Sequence, residues 1–376
     1  MTRTAQLLRD LIALPSVNPA FLPAGDSRAG EARVAEFLAV AAARAGLDVE
    51  FREVAPGRKN VLARLSPLGR APHRVLLAPH LDTVGGDSLA IFAPRQAGDR
   101  LYGRGACDTK GSLAAMLTAL GDVARSKRRP AATEIILAGV VDEEHAQAGA
   151  RALAASGLLA DLAIVGEPTR CQVVTAHKGS LWLQLETRGK AAHGARPDLG
   201  INAVHRMARI VDWLETDYAH ALRRCRHPLL GHPTVSVGTI AGGVQPNIVP
   251  DRCVLQLDRR TLPAETEGDV RREVAAGLRR HGLTVRMAGT RLAPCLPLET
   301  NPNLPWVRQF LRGAGQRRPV GVDFFCDAAV LSAGGIPSVV FGPGDIAQAH
   351  TADEWISLRS LERARAILVR FISSLP

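Results

Sequence analysis

At 376 residues the chain exceeds the usual size of a single domain, so two domains are expected. Hydrophobic residues make up 46% and charged residues 22%, the balance of a globular protein with a sizeable core, and no run approaches the roughly 18–20 apolar residues of a membrane span. The net charge of +11 is almost all arginine, spread along the chain without aromatic-interleaved basic runs, which argues for solvated surface charge and against nucleic-acid binding.

Residues 1–45 carry helical periodicity, broken by a loop from Val17-Asn18-Pro19 to Gly25-Asp26. The N-terminal pattern has charges inside it and lacks the apolar stretch of a signal peptide, so a cytoplasmic protein is expected. Residues 60–65 read as a strand, and 73–79 as a second, more buried one ending at His80-Leu81-Asp82. A loop from Leu101 leads into a helix over 111–120 that is apolar all round, a sign of burial. Residues 134–141 read as a strand ending at Asp142-Glu143-Glu144, 148–156 as a short helix, and 162–165 as a strand ending at Gly166-Glu167-Pro168. Strands alternating with helices predict an α/β fold whose mostly parallel sheet is covered on both faces.

Near residue 177 the texture changes. Residues 180–187 alternate with period 2, as a half-exposed antiparallel strand does. A helix over 202–220, strands over 234–240 and 252–260, and a helix over 267–281 complete a β-α-β-β-α-β rhythm, that of a small ferredoxin-like α+β domain inserted into the first. The chain then resumes the first domain, with a buried strand over 337–342 and a C-terminal helix from Leu358. The expected domains are residues 1–176 with 289–376, and 177–288. The six cysteines are dispersed with no Cys-x-x-Cys pair, so free thiols are expected.

Several polar residues stand where strands end, the place an open α/β sheet keeps for chemistry. His80 and Asp82 alternate about Leu81 and point the same way, which suits a metal-binding histidine whose other ring N–H is taken by Asp82. A satisfied histidine near a turn fits those three residues equally well. The stretch Gly103-Arg-Gly-Ala-Cys-Asp108-Thr-Lys-Gly111 is glycine-rich but matches neither a dinucleotide nor a Walker loop. Glycines around one acid instead suit a backbone that turns sharply to present Asp108. Asp142, Glu143 and Glu144 repel one another unless cations neutralise them. Glu167 and His350 each add one more candidate ligand, and the five carboxylates of Asp82, Asp108, Glu143, Glu144 and Glu167 with the imidazoles of His80 and His350 suit a pair of divalent ions around a water.

Six stretches, in order, resemble the M20 metallopeptidases: Pro79-His-Leu-Asp-Thr-Val84, Leu101 to Gly111, Asp142-Glu-Glu144, Gly166-Glu-Pro168, Gly189-Lys-Ala-Ala-His193, and Gly342-Pro-Gly344 with Ala349-His350. The resemblance runs from about residue 5 to 375. It departs at Gly194, where Ser or Ala is common, and at Cys326, where Ser or Thr precedes the Asp. It implies two divalent metal ions, zinc with cobalt able to substitute: His80, Asp108 and Glu167 hold one, and Asp108 bridges to a second held by Glu144 and His350. It implies a cis peptide between Asp108 and Thr109, Asp82 orienting His80, and Glu143 as general base. His193 matches a histidine that stabilises the oxyanion across a dimer. Asn247, Arg260, Gly342 and Gly344 match substrate-contacting positions, although Arg260 by itself reads as a surface charge.

The implied activity is removal of an acyl group from an N-acyl amino acid, most like acetylornithine deacetylase within that family. Desuccinylase and carboxypeptidase or dipeptidase activities use the same metals, and a catalytically silent binding protein is the reading from another class. The implied assembly is a homodimer through residues 177–288, with strand 180–187 expected to pair edge to edge.

Overall fold

The computed structural model describes residues 1–86, 88–291 and 293–376. The chain divides into two compact units, one of Met1–Thr175, Thr300–Val320 and Cys326–Pro376, the other of Ala176–Glu299 and Gly321–Phe325.

In the first unit, neighbouring strands run in the order Asp48–Ala55, Arg58–Leu65, Thr133–Gly139, His73–Pro79, Leu162–Gly166, Ser338–Val340 and Val174–His177. The four from Thr133–Gly139 to Ser338–Val340 are parallel. Every residue of Thr133–Gly139 and of Leu162–Gly166 is buried, which is why these segments read as unbroken apolar runs rather than alternating ones. The helix Lys110–Ala124 buries nearly all its positions against Arg3–Ile12 and Leu358–Ile372. Thr2 and Ser357 cap those two partners, each accepting the backbone N–H of the helix's third residue, Ala5 and Ser360. The longer stretch of the second unit leaves and rejoins the first where Thr300 N–H donates to the Thr175 carbonyl at 2.8 Å; its shorter stretch, Gly321–Phe325, follows Val320.

The second unit holds a four-stranded antiparallel sheet in the order Thr234–Gly242, Arg252–Thr261, Gly179–Arg188, Arg286–Gly289. With the helices Ala203–Trp213 and Glu267–Arg280 this is the β-α-β-β-α-β path and strand order of a ferredoxin-like domain. Leu183, Leu185, Leu255 and Leu257 bury one face of the sheet against Met207, Ile210, Val270, Val274 and Leu278 of the helices. Gly277 is required there: a Cβ would come within 2.2 Å of the Trp213 ring. The first helix continues through a π-helical turn, Leu214–Tyr218, into Ala219–Leu222.

The strand expected at the edge is not at the edge. Gly179–Arg188 lies inside the sheet, paired on both sides; its alternation reflects one covered and one open face, which says nothing about edge position. The long edge of this sheet among the described residues is Thr234–Gly242, where no residue is buried. The unit also extends beyond the expected 177–288. Arg286–Gly289 pairs with Glu186–Leu183, and Leu298–Glu299 with His177–Ala176. No helix among the described residues is long and apolar enough to cross a membrane, and all six cysteines are free.

His177 is fully buried; its Nδ1–H donates to the Lys178 carbonyl at 2.9 Å and Nε2 finds no partner. Burial pushes its pKa down to about 4. The folded state therefore refuses a proton that the unfolded chain, near 6.5, accepts, so stability present above pH 6.5 is lost as pH falls toward 4. The loss should reach about 2 kcal/mol by pH 5. Denaturant midpoints of the wild type and His177→Gln between pH 7.5 and 5 check this, and equal slopes in the two would remove His177 as the cause.

Candidate metal centre

The parallel strands deliver their C-terminal ends side by side, and the candidate ligands follow them. Pro79 pairs with Gly166 and Val340 with Val165, so His80 and Glu167 leave neighbouring strands at the same level. The Asp142–Glu144 run follows Thr133–Gly139, turning through a left-handed Asp142 at φ 72°. Asp108 precedes the helix Lys110–Ala124, its peptide to Thr109 is cis, and Thr109 Oγ1 donates to the Gly166 carbonyl at 2.7 Å. His350 adopts φ 59° in the loop after Ile346–Gln348.

These segments converge on Asp108. Its Oδ1 stands 3.0 Å from His80 Nε2, which is 3.9 Å from Glu167 Oε1. Its Oδ2 stands 3.2 Å from His350 Nε2, itself 3.2 Å from Glu144 Oε2. Two triads result, His80–Asp108–Glu167 and Asp108–Glu144–His350, each with ligand atoms within 4.8 Å of one another. Asp108 belongs to both. The donor set suits two divalent ions of the zinc type, which take imidazole nitrogen and carboxylate oxygen.

Electrostatics agree with that fit. Burial, with Glu167 beside it, pushes the Glu143 carboxyl well up; burial and Asp108 push Glu167 well up and raise Glu144. Asp108 moves down despite burial because His350 and His80 hydrogen-bond to it. Asp108 and Glu144 raise His350 to about 10, and Asp108 and Asp82 raise His80 against its burial. Both imidazoles thus draw protons into positions where cations would neutralise the acids. Glu144 Oε1 and Glu167 Oε1 are buried with no hydrogen-bond partner, lone pairs suited to a metal.

Asp82 is a node. The Nδ1–H of His80 donates to the Asp82 backbone carbonyl at 3.0 Å, with carboxylate Oδ1 farther off at 3.4 Å. The Asp82 carboxylate accepts the backbone N–H of Glu143 and of Glu144, both at 3.1 Å, and the Asn18 side-chain amide at 2.7 Å. It therefore fixes the turn carrying two candidate residues as well as the strand carrying His80. Asn18 also donates to Asp142, which pairs with Arg58, itself paired with Glu31. Asn18, Arg58 and Glu31 escaped the sequence reading because their partners lie tens of residues away. Asp327 escaped as well; it is fully buried, neither oxygen has a hydrogen-bond partner, and burial raises its pKa to about 7.

The expected glycines pack tightly. A Cβ on Gly342 would meet Ser112 Oγ and the Glu167 carbonyl at 2.2 and 2.5 Å; Gly344, at φ 86°, would strike Cys107 Sγ at 2.6 Å. They allow close approach of the loop to the Glu167 and Asp108 segments.

The remaining candidates lie in the second unit. His193 is exposed and bridges to Ile248, while Gly194 N–H donates to the Asn247 carbonyl at 2.7 Å. The Ala195 N–H donates to His193 Nδ1 at 3.1 Å, which makes Nδ1 an acceptor and leaves a neutral ring's hydrogen on Nε2. Arg260 pairs with Asp258 at 3.0 Å and stacks 5.8 Å from the Phe325 ring centroid. The two triads consist of first-unit residues, and His193, Asn247 and Arg260 belong to the second unit.

Comparison with known proteins completes the picture. The family model of peptidase family M20/M25/M40 matches residues 76–374. The acetylornithine deacetylase of Edwardsiella ictaluri (strain 93-146) is 31% identical over 379 residues, 97% of this chain and 96% of the relative. That of Myxococcus xanthus is 33% identical over 326 residues, 84% and 83% respectively. Among solved structures, aminopeptidase PepT of Bacillus cereus superposes with a TM-score of 0.78 at 21% identity, over 99% of this chain and 97% of that one. The Bacillus subtilis YXEP protein, described as a dinuclear metal-binding peptidase of the M20 family, gives 0.71 at 14% over 99% and 97%. The chain belongs to peptidase family M20/M25/M40 and is a hydrolase of amide bonds.

Proposed function

We propose that the protein is a two-metal deacylase that frees the amine of a small N-acyl amino acid, of the acetylornithine deacetylase kind. The two triads sharing Asp108 carry this reading. His80, Asp108 and Glu167 would hold one divalent ion; Asp108, Glu144 and His350 a second, zinc in the first instance, with cobalt as a substitute. Such ions supply Lewis acidity, acidifying water and polarising an acyl oxygen. Glu143 adjoins Glu144 yet belongs to neither triad, so it is free to move protons. It takes one from the attacking water and returns it to the departing nitrogen, because an amine anion is too basic to leave unaided.

Asp82 holds His80 and the Glu143–Glu144 turn in place. His193, whose Nδ1 already accepts a hydrogen bond, would donate from Nε2–H to the developing oxyanion, while Asn247 and Arg260 would contact a substrate carboxylate. His193 is proposed to come from a second copy, in a homodimer through the second unit; its free edge, Thr234–Gly242, is the strand available for pairing. Soluble cytoplasmic residence goes with this small-molecule chemistry.

A hydrolysis panel of acetylornithine, succinyl-diaminopimelate, other N-acyl amino acids and dipeptides, with zinc or cobalt, tests the reading. Acetylornithine should be the best substrate, and a chelator should abolish turnover until metal is restored. Preference for a succinyl substrate or a dipeptide would move the assignment within the family, and chelator-insensitive turnover would end the two-metal reading.

A further inference from the structure

The loop that presents Asp108 has few hydrogen-bond partners of its own. Gly103 and Gly105 stand at φ 149° and 82°, in backbone that forms no regular ladder. Its N–H groups can nevertheless be accounted for one by one. Gly103 donates to the Glu354 carbonyl at 3.0 Å, Arg104 to the Ile91 carbonyl at 2.8 Å, and Ala106 to the Gly103 carbonyl at 3.0 Å. The other three all go to one side chain. Glu354 Oε2 accepts Gly105 N–H at 2.9 Å; Oε1 accepts Cys107 N–H at 2.8 Å and Asp108 N–H at 2.9 Å. The Arg104 guanidinium adds a fourth donor, to Oε2 at 2.8 Å.

Glu354 is 2% exposed, as an ionised carboxylate is only when its oxygens are fully engaged. Two donors on each oxygen satisfy it and leave it no lone pair for a metal. Its position in the chain matters equally. It lies four residues after His350, and the following strand, Trp355–Ser357, pairs with Arg100–Tyr102, which leads into the Asp108 loop. One carboxylate thus fastens the segment bearing His350 to the segment bearing the shared ligand of both triads.

We propose that Glu354 is a positioning residue: it sets the Asp108 loop against the His350 segment, and the protein's metal affinity depends on it although it stands outside both triads. The proposal rests on the two-metal reading. A clamp of this kind acts before any ion arrives, by holding Asp108 with each oxygen aimed at a different histidine. Hydrogen bonds supporting a ligand in this way commonly contribute 10–100-fold to metal affinity.

Glu354→Gln replaces one acceptor oxygen by an amide that faces N–H groups. Zinc affinity, measured by competition with a chromophoric chelator, should fall at least about 10-fold. In the metal-free protein, amide exchange in a peptide spanning 103–109 should quicken while the core strands keep their protection. Unchanged exchange there, or unchanged zinc affinity beside a wild type that binds two ions, overturns the proposal alone. A wild type that takes up no zinc removes the two-metal reading and this proposal with it. Should Glu354→Gln fail to fold, Arg104→Met, which removes one donor and keeps the carboxylate, carries the test. It should weaken zinc binding in the same direction, and unaltered affinity in it overturns the proposal.

Discussion

Replacing Glu143 with Gln is expected to lower hydrolysis by about 10²–10⁴-fold while both metal ions stay bound, the scale on which a general base acts. The expectation follows from Glu143 standing outside the two triads. Glutamine keeps the shape and the backbone N–H that donates to Asp82, so the turn should survive and only the proton carrier is lost. Glu144→Gln should behave differently. It removes a charge from the triad with Asp108 and His350, so one equivalent of metal should be lost and turnover should recover partly at high metal concentration. Metal content by mass spectrometry, measured beside kcat and KM, separates the two. If Glu143→Gln shed metal and Glu144→Gln kept it, the roles of these neighbours would have to be exchanged.

Mixing two inactive variants should restore activity if His193 serves a second copy. His193→Ala alone should lose about 10²–10³-fold in kcat, the effect of removing one oxyanion donor. In a heterodimer of His193→Ala with Glu143→Gln, one site has an intact Glu143 and receives an intact His193, while the other has neither. Verified heterodimers should therefore recover up to half the wild-type activity per dimer. A monomer at working concentration, or purified heterodimers no more active than either parent, would defeat the shared site. Closure of a single chain's own second unit would then have to supply the histidine.

The residues of the candidate metal site were legible because each is marked locally. A strand that ends in His80-Leu81-Asp82, or in Gly166-Glu167, advertises itself through a buried run followed by one polar group, and the ferredoxin-like insertion through its change of period. The supporting shell was not legible. Asn18 meets Asp82 across 64 positions, and Glu354 meets Gly105 across 249; no spacing rule covers such distances. Edge position was equally hidden, since alternation along 180–187 reports which face is wet and not which strand has a free side. Spacing could not divide the general-base and ligand roles of the adjacent acids either; the proposed division follows the triads, with Glu144 inside and Glu143 out.

Thr175 and Thr300 are joined by a single backbone hydrogen bond. Beyond that bond Leu298–Glu299 pairs with His177–Ala176, so the large sheet runs on past the junction. A short turn spliced between Thr175 and Thr300 would remove that last strand pair, and would leave Gly321–Phe325, the second unit's other stretch, without the unit it belongs to. The second unit is thus tied into the chain at two stretches, and exchanging it would mean recutting both.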